Sequence, residues 1–62
     1  MDSRLIRLPE VCALVGMQRS TIYNRINNGD FPKPVSLGGR IVAWDYREIQ
    51  IWIDDVIEAS RT

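Results

Sequence analysis

The chain has 62 residues, 8 Lys and Arg against 8 Asp and Glu, no His and one Cys. That length holds one domain around one small core. A lone cysteine excludes a disulfide framework, and without His there is no zinc-ligand spacing. A domain this small without disulfides points to a reducing, cytoplasmic setting. Cys12 lies among Val11, Leu14 and Val15 and reads as a small buried hydrophobe. The longest apolar run, residues 11–15, is too short for a signal peptide or a membrane span, so no membrane association is expected. No nucleophile stands with a base, no residue cluster suits a metal, and so small a core leaves no room for a substrate pocket. Neither enzymatic activity nor a cofactor nor a small-molecule substrate is expected.

Net charge is zero, but it is unevenly spread. Residues 1–44 hold Arg4, Arg7, Arg19, Arg25, Lys33 and Arg40 against Asp2, Glu10 and Asp30, a balance of +3. Residues 45–62 hold Arg47 and Arg61 against Asp45, Glu48, Asp54, Asp55 and Glu58, a balance of −3. A basic side of this kind is the electrostatic footprint expected of a surface that meets phosphates.

In chain order, Leu5-Ile6-Arg7 reads as a short extended lead-in. A first helix is predicted over about 9–15, with Pro9 near its start and Leu8, Val11, Cys12 and Val15 on one apolar stripe. Gly16 stops it. A second helix is predicted over about 19–28, with Gly29 as its stop signal. Two prolines keep residues 31–34 out of regular helix. Val35-Ser36-Leu37 and Arg40 to Trp44, separated by Gly38-Gly39, predict a β-hairpin over about 35–44. Asp45 and Glu48 then resemble a capping box opening a third helix, about 46–59. Ile49, Trp52, Ile53, Val56 and Ile57 form its apolar stripe, and residues 59–62 read as a frayed end. The fold class is therefore mainly α with a small β-hairpin: a single three-helix winged helix-turn-helix domain spanning residues 1–62.

In that motif the second helix enters the DNA major groove. Ile22 and Ile26 are four residues apart and point together into the core. At about 100° per residue, Ser20 and Asn24 then lie opposite them, with Thr21, Asn27 and Asn28 beside. This outward face is polar and uncharged. Asn is a poor helix former, and solvated faces without function are more often written in Glu, Lys and Ala. Base readout supplies a reason, because Asn bonds adenine bidentately and Ser and Thr reach several base edges. Asn24, nearest the centre of the face, is the first candidate. Asn27 and Asn28 serve either base contact or helix termination before Gly29. Arg19, Tyr23 and Arg25 are placed for phosphates beside the groove. Tyr23 has a second role open to it, as a half-buried ring packed on the wing or the third helix. Gln18 occupies the cap position without being a favoured capping residue, which leaves it either free for DNA or simply a weak cap. Lys33 before the hairpin and Arg40 at its turn are further candidates for DNA contact.

Leu8-Pro9-Glu10-Val11, Gly16, Arg19-Ser20-Thr21-Ile22-Tyr23, Ile26, residues 29–35, Leu37-Gly38, Arg40, Trp44, Glu48-Ile49 and Trp52-Ile53 together resemble the AlpA family of small phage and prophage regulators. The resemblance runs over about residues 5–57. It implies a winged helix-turn-helix related to MerR-like domains and phage excisionases. It also implies a role in transcription control, often of an integrase gene, or in excision of an integrated element. By that resemblance Arg19, Ser20, Thr21, Tyr23 and Asn24 fall on the recognition helix and Arg40 in the wing. Gln18 departs from related motifs, where a small hydroxyl residue is common.

Double-stranded DNA is thus the expected partner, with integrase or another copy of this chain on DNA as further ones. The competing expectation is an excisionase-type architectural factor or a protein-interaction module, for which Ile51 is a candidate contact. MerR-type dimers form through a long C-terminal coiled coil, and none is expected here. A monomer that binds adjacent sites cooperatively is expected, and Ile51 or Ile57 are the positions at which a weak dimer would form.

Overall fold

A computed structural model describes residues 4–61. Asp2, counted in the charge balance above, and Thr62 of the frayed end lie outside them. The order is β1 (Leu5–Ile6), α1 (Leu8–Val15), α2 (Arg19–Asn27), β2 (Val35–Gly38), β3 (Ile41–Asp45) and α3 (Tyr46–Arg61). Three helices and a small antiparallel sheet make a mainly α winged helix-turn-helix. Among the described residues no helix is long and apolar enough to cross a membrane.

α1 and α2 meet at Gly16, whose φ of 70° is the left-handed geometry that ends α1, with its N–H donated to the Cys12 carbonyl. α2 ends in a Schellman motif: Gly29 at φ 76° donates to the Ile26 carbonyl, and the Asp30 N–H reaches back to the Arg25 carbonyl. An apolar contact often joins the two outer residues of such a motif. Here they are Arg25 and Asp30, and they form an ion pair at 2.8 Å instead.

The lead-in is a strand. β1 pairs antiparallel with β3, Ile6 opposite Trp44, so β3 is the central strand of the order β1-β3-β2. The wing hairpin departs from the expected turn. Ser36 faces Val42 but Gly38 faces Ile41, so Leu37 is an extra residue and the strand bulges there. The bulge moves the turn one position on, to Gly39 and Arg40, with Gly39 at φ 57° as the first central residue, the arrangement of a type II′ turn. Arg40 therefore stands at the tip of the wing rather than at the start of its second strand.

α3 also differs in detail. The Asp45 carboxylate accepts the Arg47 N–H at 2.9 Å, a cap on the second helical residue rather than the third, as a capping box would have it. The Tyr46 N–H is taken by the Arg4 carbonyl at 2.8 Å, which ties the β1 lead-in to the start of α3. The helix continues through Arg61, two residues past the predicted end.

The core is Ile6, Val11, Ile22, Phe31, Trp44 and Ile49, with Leu8, Cys12, Val15 and Ile26 among the side chains packed against it. Trp44 is fully buried, and its indole N–H donates to the Pro32 carbonyl at 3.0 Å. Trp52 donates to the Asp30 carbonyl at 3.0 Å and meets Phe31 edge-on at 4.8 Å. Two indoles thus hold the loop between α2 and the wing.

Trp44→Phe leaves the Pro32 carbonyl unpaired and opens a void at the centre. Its expected cost is about 2–3 kcal/mol, which lowers the midpoint of a circular-dichroism melt by about 10–20 °C in a domain this small. Trp52→Phe, at a half-exposed position, is expected to cost about 1 kcal/mol.

Candidate nucleic-acid interface

The site begins with α2. Ile22 is fully buried and Ile26 half-buried, so the helix sits on the core by the side that the Ile22–Ile26 spacing predicts. Ser20, Thr21, Asn24, Asn27 and Asn28 are all exposed. This face carries hydrogen-bonding groups and no charge. Gln18 is the N-cap residue with extended φ and ψ, and its side chain makes no capping bond. The first N–H groups of α2, from Arg19 onward, therefore carry the helix's partial positive charge without a side-chain acceptor at the cap.

Tyr23 is 37% exposed, and its ring meets Trp44 edge-on with centroids 6.4 Å apart. The packing expected of this ring is present, on the central wing strand. The same ring lines a recess of about 450 Å³ between the start of α1, the start of α2 and the wing. Arg7, Arg19 and Arg40 rise around this recess, and Leu8 and Val42 form part of its apolar floor.

Ion pairs sort the cations. Arg4 is paired with Glu10 at 3.2 Å and also lies 4.4 Å over the Tyr46 ring. Arg25 is paired with Asp30. Among the described residues of the basic segment, Arg7, Arg19, Lys33 and Arg40 form no ion pair. Three of these four converge on the one recess beside α2, brought there by three different elements. Lys33 is exposed in the loop that precedes the wing. Arg25 instead lies at the far end of α2 with its charge offset.

Arg7 is absent from the residues that sequence reasoning singles out. It stands at the N-cap of α1, one residue after β1. Its place beside Arg19 follows from the pairing of β1 with β3, a long-range contact with no local signature. The one available signal was its position immediately before Leu8-Pro9, the predicted helix start, in the segment of positive balance.

The acidic residues gather elsewhere: Glu48, Asp54, Asp55 and Glu58 are all on exposed positions of α3. The geometry thus offers a neutral polar helix face, a tyrosine and three arginines on one side of its start, and an arginine-tipped hairpin.

Residues 4–57 match the family described as Prophage CP4-57 regulatory protein (AlpA). The uncharacterized protein ORF88 of Enterobacteria phage P4 is 52% identical over 52 residues, covering 84% of this chain and 59% of that protein. The chain therefore spans about three fifths of that relative's length. The DNA-binding transcriptional activator AlpA of Escherichia coli (strain K12) is 39% identical over a 56-residue alignment that takes in 81% of this chain and 80% of that protein. With its family match running from Arg4, just before β1, to Ile57 of α3, the chain belongs to the AlpA family.

Proposed function

We propose that this chain is a sequence-specific DNA-binding regulator of transcription for a phage or prophage, acting in the cytoplasm on integrase expression or on excision. The observation that carries this is the pairing of a neutral, amide-rich α2 face with a recess lined by three arginines that no carboxylate offsets. In this reading α2 lies in the major groove. Asn24, with Ser20, Thr21, Asn27 and Gln18 around it, reads base edges. Arg7, Arg19, Arg40 and the Tyr23 hydroxyl hold backbone phosphates where the groove meets the wing, and Lys33 adds a contact from the loop. Sequence choice and affinity are then carried by different residues. A chain with zero net charge binds a polyanion because Arg7, Arg19 and Arg40 stand beside α2 without an ion pair, while Glu48, Asp54, Asp55 and Glu58 are on α3. The chemistry is recognition alone, without a catalytic step. The DNA-binding activator AlpA among the relatives supports the same direction.

The decisive experiment is selection of bound fragments from the host genome. Sites upstream of an integrase gene support the regulator, and sites inside attachment DNA support an excision factor. Binding that is weak and indifferent to salt overturns both, since phosphate contacts make affinity fall with salt.

With a selected site in hand, Asn24→Ala is expected to weaken cognate binding by about 1–3 kcal/mol and to relax specificity at one base pair, read by fluorescence anisotropy against single-position site variants. Arg7→Ala, Arg19→Ala and Arg40→Ala should instead weaken all sequences alike, each lowering the slope of log affinity against log salt by about 1. Arg25→Ala, whose charge Asp30 already offsets, should change that slope less than any of these three.

A further inference from the structure

The two ends of α2 differ in charge. Its start carries the recess with Arg7, Arg19 and Arg40. Its end carries the partial negative charge of a helix C-terminus, and Asp30 follows directly. A second recess, of about 470 Å³, opens there, with Asp30, Phe31, Glu48, Trp52 and Asp55 in its lining. Among the described residues that line it there is no Lys or Arg. Three carboxylates therefore stand where α2 finishes. Of the two arginines of α2, Arg19 lines the first recess and Arg25 lies in the last turn. At about 100° per residue, Arg25 falls on the flank of the helix opposite Tyr23. A major groove has a phosphate strand on each side. A duplex that takes up α2 presents one strand to the first recess and the other to the flank of Arg25.

We propose that Asp30 withholds Arg25 from the DNA backbone, so that α2 is held to phosphates on the recess flank alone. This role for Asp30 presupposes the DNA-binding reading given above. Arg25 Nη1 donates to Asp30 Oδ2 at 2.8 Å. The pair is exposed, and an exposed pair exchanges partners at little cost. The position of the carboxylate is better fixed than the pair, because both backbone polar groups of Asp30 are engaged. Its N–H donates to the Arg25 carbonyl at 2.8 Å, and its carbonyl accepts the Trp52 indole N–H at 3.0 Å. A phosphate approaching this flank meets an anion whichever way the guanidinium turns, with Glu48 and Asp55 beside it in the same recess. Phosphate contacts supply non-specific affinity. A contact withheld on one flank lowers affinity for every sequence and leaves base contacts a larger share of the binding. Asp30 touches no DNA in this scheme and acts through Arg25.

Fluorescence anisotropy with a random-sequence duplex, taken across a range of salt, tests this role without knowledge of the operator. Asp30→Asn removes the charge and keeps the backbone bonds and the side-chain volume. It is expected to tighten binding about three- to tenfold at about 0.1 M salt, and to steepen the slope of log affinity against log salt by about 1, as one further phosphate contact does. Asp30→Ser, at the same exposed position, should give the same gain. Asp55→Asn removes an equal charge from the same recess without freeing a cation, and should change the slope by less than about half as much. With Arg25→Ala already in place, Asp30→Asn should do no more than Asp55→Asn does. Three results overturn the role of Asp30: a slope that Asp30→Asn leaves unchanged or makes shallower; an equal gain from Asp55→Asn; and a gain that survives Arg25→Ala. In each of these the unaltered chain still binds DNA with a salt dependence, so the proposed function stands. An unaltered chain that binds no duplex, or binds it indifferently to salt, overturns both.

Discussion

Trp44 holds the molecule's parts in register. It lies on the central strand, opposite Ile6 of β1, with no exposed surface. Its ring receives Tyr23 from α2, and its N–H fixes the Pro32 carbonyl of the loop that follows. A buried indole needs a partner for its one donor, and here the partner belongs to the segment that joins α2 to the wing. One side chain thereby sets the distance between the helix that faces outward and the hairpin beside it. The recess with its three arginines exists because that distance is held.

α2 is stabilised from outside itself. Its composition is unfavourable for helix: two Asn within it, a third at its cap, and a Gln at its start that provides no capping bond. The helix persists because Ile22 is wholly buried, and because the Schellman motif at Gly29 satisfies its last carbonyls under an Arg25–Asp30 pair. Exposed residues are then free of structural duty along the whole outward side. An exposed ion pair contributes little to stability. Its larger effect here is electrostatic: it removes one arginine from the field around α2 and confines unpaired charge to the recess and the loop.

α3 works in the opposite sense. It is long, strongly amphipathic and acidic, and half of its apolar stripe closes the core while the rest leaves the domain. The molecule is therefore polar on a large scale: Arg7, Arg19 and Arg40, which form no ion pair, stand beside the start of α2, and Glu48, Asp54, Asp55 and Glu58 are on α3. Such a division of charge orients the approach of a charged partner.

The sequence by itself determined the element order, the core side of each helix and the outward side of α2. All three rest on local signals: apolar residues every three to four positions, glycines where φ must be positive, and prolines where helix is excluded. Side-chain direction on a helix follows from spacing alone, so the Ser20–Asn24 face was legible without coordinates. The tertiary structure decided which charges are free, where the wing turns and how far the stripe is covered. Arg4 and Arg25 are offset by Glu10 and Asp30, while Arg7 is brought into the recess by a strand pairing 38 positions distant in register. The turn moved to Gly39 and Arg40 because a bulge at Leu37 changed the pairing. Val56 and Ile57 read as core from their spacing, yet nothing in a helical period states where the body of the domain ends. Periodicity gives the direction of a side chain. Only the packing of distant segments decides what that side chain meets.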